Sequence, residues 1–177
     1  LGKLDQALAS TLKSLELKPD NPCALKNLKG LIEQLTLSLA NAHNFTTAYE
    51  LLINLDNVSH RKLSVYFVQA FLPAIQAAAK IDPIISANND ALNNLAADWR
   101  LRKSLTLFTP GRKDIEHFLT RLRKEILMLA SQKDSIPENL KPLSEALATQ
   151  CFLNEYVYAQ SQEEGELVNQ LIQHSNK

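Results

Sequence analysis

The chain has 177 residues, 45% of them apolar, with 19 Lys/Arg against 19 Asp/Glu and only four Gly. That apolar fraction supports a packed core and excludes general disorder. Zero net charge excludes a global field that would draw the chain to nucleic acid, and few Gly beside plentiful Leu, Ala, Asn, Lys and Glu point to an all-α fold.

In chain order, "GKLDQALASTLKSLELKPDNP" predicts a first helix, with Leu4, Leu8, Leu12 and Leu15 on one face and Pro19 and Pro22 stopping it. "NPCALKNLKGLIEQLTLSLANA" predicts a second, with Asn21 as N-cap and Pro22 at the first helical position. "FTTAYELLINL" is a third, capped by Thr46 or Thr47 and ended by "DNVSH". "LSVYFVQAFLPAIQAAAKID" is apolar nearly all round, the pattern of a helix buried between others, and Pro73 predicts a kink or break within it. "NNDALNNLAADWRLRKSLTLF" is expected as one helix with Leu92, Leu95, Ala96, Trp99 and Lys103 along one side. The clearest amphipathic helix is "DIEHFLTRLRKEILML": Ile115, Phe118, Leu119, Leu122, Ile126 and Leu129 repeat at helical spacing, with Arg121, Arg123 and Lys124 off the stripe. After a loop comes "LKPLSEALATQCFLNEYVYA", and Ser161 to Glu164 match a capping box that opens the last helix. Eight or nine helices and no sheet are expected.

Cys23 and Cys151 are far apart and have no second Cys or His at metal-ligand spacing. They suit reduced thiols of a cytoplasmic protein with no metal site and no cofactor. No signal-peptide pattern is present, nor an apolar run of about 18 residues that would make a membrane a partner. The chain begins with Leu rather than Met, so a piece of a longer protein is expected.

Part of the chain resembles tetratricopeptide repeats. "GKLDQAL" followed by "LELKPDNP" is similar to the second helix of such a repeat, with small residues at Ala7 and Ser14 for close helix approach and Pro19 ending the unit. "NPCALKNLKGLIEQL" resembles the first helix of the following repeat, although Lys29 stands where the family often has Gly, and "HNFTTAYELLINL" its partner, with Ala48 as the small contact residue. Ala7 to Ala48 is 41 residues against a usual period of about 34, and His60 occupies the expected Pro position, so this repeat is stretched and degenerate. The resemblance implies the start of an α-solenoid at 1–56, with further repeats before Leu1. Residues 57–111 form linking helices with no resemblance. Residues 112–177 continue as a helical bundle. Within it, "DIEHFLTRLRKEIL" and "LSEALATQCFLNEYVYAQSQEE" resemble the region that precedes the S-adenosylmethionine-dependent methyltransferase domain in bacterial proteins that carry both. The Gly-rich cofactor loop of such a domain is absent from the sequence.

Several residues are candidates for sites. In the related repeats of O-linked N-acetylglucosamine transferases, the Asn at the position of Asn27 faces a concave groove and hydrogen-bonds an extended peptide. An amide offers both a donor and an acceptor for that task, and Gln34, seven residues on, falls on the same helical face. Asn154, Glu155 and Tyr158 are candidates for docking an adjoining domain of the same chain. A catalytic or small-molecule site around Cys151, Asn154 and Glu155 is the alternative, and needs a His, Asp or Glu brought onto the thiol. Residues 100–124 hold eight Lys/Arg and two Asp/Glu, and residues 134–177 seven Asp/Glu and two Lys. Nucleic-acid binding by the basic stretch would want interleaved aromatics; the simpler reading is two neighbouring helices of opposite charge. On that reading the helix through Leu122 packs on the one through Cys151, and Arg121, Arg123 or Lys124 reach Glu145, Glu155 or Glu163 in exposed pairs that contribute little. The function expected is a non-catalytic module that binds a protein or peptide and an adjoining domain.

Overall fold

A computed structural model describes residues 2–32, 34–35, 42–131, 136–153 and 160–175. The fold is all-α: nine α-helices and one short 3-10 turn, with no strand among the described residues. Residues 1–70 and 71–177 form two compact units.

In the first unit, α1 (Gly2–Leu17) buries Leu8, Thr11, Leu12 and Leu15 and packs against both α2 (Pro22–Leu31) and α3 (Ala42–Leu52). Asn21 caps α2 as expected: its side-chain oxygen accepts from the N–H of Cys23 and Ala24, at 3.1 and 3.3 Å, while its Nδ2 donates to Ser14 Oγ at 3.0 Å. One side chain thus serves a helix start and ties it to α1. Asn44 Nδ2 donates to Asp5 Oδ1 across α3 and α1 at 3.0 Å.

Three expectations change here. The second helix ends at Leu31, although the Leu35 N–H still bonds the Leu31 carbonyl at 3.1 Å; residues 36–41 lie outside the described residues. Thr46 and Thr47 lie inside α3 rather than capping it, and Thr47 Oγ1 donates back to the His43 carbonyl at 3.0 Å. Of the small residues expected at tight contacts, Ala48 is 0% exposed and Ser14 half-buried, but Ala7 is exposed. At 3.6 residues per turn, Ala7 sits about 90° round the helix from the centre of the buried stripe of α1.

The fourth helix, α4 (His60–Ala78), contains the division between the units, after Ala70. Before it, Tyr66 stacks on Phe45 with ring centroids 5.0 Å apart and on Tyr49 at 6.2 Å; such pairs contribute about 0.5–1.5 kcal/mol each beyond their burial. Tyr66 donates its hydroxyl to the Ile32 carbonyl at 3.2 Å, and burial pushes its pKa well above the ordinary range. The helix is one-sided rather than buried all round: Leu63, Tyr66, Phe67, Phe71, Ile75 and Ala78 are buried, whereas Val65 is 53% exposed. Pro73 does not break it: the helix runs on to Ala78, with Pro73 on its exposed side.

In the second unit, the segment expected as one helix is two, α5 (Asp90–Ala97) and α6 (Trp99–Leu105). Asp98 divides them. Its backbone is extended, at φ −76° and ψ 108°, and its carboxylate accepts from the Arg100 N–H at 2.9 Å as the N-cap of α6. A short acidic side chain competes with the helix for backbone donors in this way. The break resets the helical phase. Leu92, Leu95 and Ala96 are buried before it and Leu101, Ser104 and Leu105 after it, while Trp99 and Lys103, expected along the same side as Leu92, Leu95 and Ala96, are exposed. The next helix, α7 (Lys113–Ser131), buries Ile115, Phe118, Leu119 and Leu122 and leaves Ile126 and Leu129 half-buried. A 3-10 turn at Glu138–Leu140 leads into α8 (Lys141–Leu153), and α9 (Gln162–Ser175) follows; both pack on α7.

Candidate functional site

The polar residues of α7 that lie off its apolar stripe organise the second unit. Arg121 donates to the Ala79 carbonyl at 3.0 Å and to Asp82 Oδ1 at 3.2 Å. One turn on, the two oxygens of Glu125 accept from the N–H of Ile84 and Ile85, at 2.9 and 2.8 Å. Asn89, 1% exposed, completes the 79–89 segment: its Nδ2 donates to the carbonyls of Ala78 and Ile84 and its Oδ1 accepts from the Leu92 N–H. These side chains supply the backbone partners that an irregular segment lacks.

On another edge of α7, Arg123 directs Nε and Nη2 onto Glu164 Oε1 at 3.1 and 2.9 Å. The side chains are 13% and 3% exposed. Glu164 is also the acidic member of the expected capping box: its Oε2 accepts from the Ser161 N–H at 2.8 Å, and its own N–H donates to Ser161 Oγ at 3.2 Å. Burial would raise the Glu164 pKa, but the Ser161 N–H and the Arg123 guanidinium outweigh it and hold the carboxyl below its ordinary value. Lys124 pairs with Glu163 at 2.7 Å in the open. The charge asymmetry therefore does join neighbouring helices, chiefly α7 to α9, and one of its pairs is a buried pair rather than the exposed kind expected. The capping-box pattern marks Glu164 in the sequence; nothing there marks Arg123 as its partner.

Cys151 is 4% exposed. Burial pushes its thiol pKa up, with Arg123 pulling the other way. It borders a cavity of about 280 Å³ between α7, α8 and α9, whose walls include Ile126, Leu127, Leu147 and Val168, with Arg123, Ser144 and Gln160 as polar members. No imidazole or carboxylate is among the described residues lining it. Phe152, next to Cys151, is 72% exposed.

Asn27 lies on the exposed side of α2, and Gln34 is exposed one turn beyond the end of that helix. Asn154, Glu155 and Tyr158 lie outside the described residues. Among the described residues no group of three or more His, Cys, Asp or Glu converges as a metal site would require, and no helix is long and apolar enough to cross a membrane. Comparison with family models, with curated proteins and with solved structures gives no match.

Proposed function

We propose that the chain is a non-catalytic helical interaction module of a cytoplasmic bacterial protein. Its first unit takes an extended segment of a protein or peptide partner along Asn27 and Gln34, and its second unit adjoins an S-adenosylmethionine-dependent methyltransferase domain of the same longer chain. The observation that supports this reading is the packing of α1 on both α2 and α3, with Ala48, the small residue that the resemblance puts at a close helix contact, completely buried. The exposure of Asn27 and Gln34 leaves their amides accessible to a peptide backbone.

The test is a peptide array probed with the chain, then repeated with Asn27→Ala and Gln34→Ala. The expected result is peptide capture that both substitutions weaken while the melting temperature stays put. Capture indifferent to both substitutions, or no capture, would remove the reading. A second reading rests on the cavity beside Cys151: a small apolar molecule fills it. Stabilisation of the chain by such molecules, abolished by Ala148→Phe at the cavity wall, would favour that alternative.

A further inference from the structure

We infer that the second unit carries a separate binding row for an acidic peptide, formed by Lys113, His117 and Arg121 on α7. The inference concerns a different unit and a different chemistry from the amide contacts proposed for Asn27 and Gln34, and does not depend on them.

The three residues follow one another at intervals of four, so they stand one above the next on a single edge of the helix, about 6 Å apart at a rise of 1.5 Å per residue. They line an open groove of about 610 Å³ together with Ala79, Arg112, Asp114 and Phe118. Lys113 and His117 are exposed. Arg121 is held in place by the Ala79 carbonyl and Asp82; these take two of its five N–H groups.

Of the carboxylates nearby, Asp82 pairs with Arg121, and Glu116 stands on α7 between Lys113 and His117. Asp114 is gripped through both oxygens by Arg112, at 2.7 and 3.1 Å, and approached by Gln76 at 3.4 Å. Glu125, one turn beyond Arg121, accepts the two backbone N–H groups of the 84–85 segment. The row thus spans three residues and ends where a committed carboxylate begins.

The spacing selects the occupant. In an extended chain, alternate side chains project to the same side at about 6.6 Å intervals, close to the rise between successive members of the row. A peptide with acidic residues at three alternate positions can therefore set one carboxylate against each of Lys113, His117 and Arg121. Single-stranded nucleic acid would add base stacking on accessible aromatic faces, and the aromatic residue of this groove, Phe118, is 3% exposed. The charge matches either polymer, and the exposed His117 offers one ring; the match between the spacing of the row and the alternate side chains of an extended chain favours the peptide.

The experiment is fluorescence anisotropy on the full chain with four labelled probes of equal length: a peptide with three Glu at alternate positions, one with the same three Glu in a block, one with Gln at the alternate positions, and oligodeoxythymidine. The alternating Glu peptide should bind tightest, the Gln peptide at least about ten-fold weaker, as expected for losing close charge pairs, and added salt should weaken the Glu peptide. Lys113→Glu with His117→Ala should lower affinity for the Glu peptide by a similar factor while α-helical circular dichroism and melting stay unchanged. Lys13→Glu, an exposed change in the first unit, should not. Equal binding of the Glu and Gln peptides, indifference to the charge substitutions, tighter binding of oligodeoxythymidine, or no binding would each overturn the inference. Because Asn27→Ala leaves this row intact, failure of the row and failure of the Asn27 reading are separately visible.

Discussion

Arg123 and Lys124 are adjacent cations with different consequences. Arg123 lies with Glu164 out of water. Arg123→Ala would leave a buried carboxylate without its cation, a change that costs roughly 3–5 kcal/mol. Lys124 meets Glu163 in the open, where screening makes such pairs weak, so Lys124→Ala should move a urea midpoint little. Equal midpoints for the two variants would contradict the burial of Arg123. Glu164 adds a pH signature. Its folded pKa lies below its ordinary value, so the unfolded chain takes up that proton first as pH falls. The stabilisation is present above about pH 4.3 and is lost as pH drops toward the depressed folded value. Urea melts from pH 6 to pH 3 should show a shallower acid loss in Glu164→Gln than in the parent. Cys151, buried and with its pKa raised, should react slowly with a thiol reagent near neutral pH, while the exposed Cys23 reacts fast. Two equally fast thiols would point to a reactive Cys151 and revive a catalytic reading.

At the scale of elements, helix ends and phases matter more than helix existence. Asp98 divides α5 from α6 because its carboxylate offers the Arg100 N–H a partner outside the helix, and every apolar position after it changes phase. The contact of α3 is similarly sharp. Ala48 is 0% exposed, so Ala48→Leu adds three heavy atoms where there is no room. Overpacking of that kind costs roughly 1–3 kcal/mol, which thermal melting would register; an unchanged melt would remove the tight contact and with it the main support for a repeat-like first unit.

At the scale of the whole molecule, two compact units divide within α4, each with its own buried set: Leu8, Leu28, Ala48, Tyr49 and Tyr66 in one, and Leu92, Leu105, Ile115 and Leu122 in the other. Leu122 is 0% exposed, so Leu122→Ala should cost roughly 2–5 kcal/mol. Ala48→Leu and Leu122→Ala fall in different units, and their costs should add to within about 0.5 kcal/mol in urea melts of the double variant; a larger deviation would mean that the cores do not respond separately. The all-α class, the Asn21 cap, the stripe of α7 and the Ser161–Glu164 box were legible in the linear sequence because each depends on residues within a turn or two of one another. Burial of Arg123 on Glu164, capture of the 84–85 amides by Glu125, exposure of Ala7 and Trp99 and the grouping of groove residues around Lys113, His117 and Arg121 were not. Those outcomes depend on which helix packs against which edge, and side chains about 40 positions apart meet only after that packing is made.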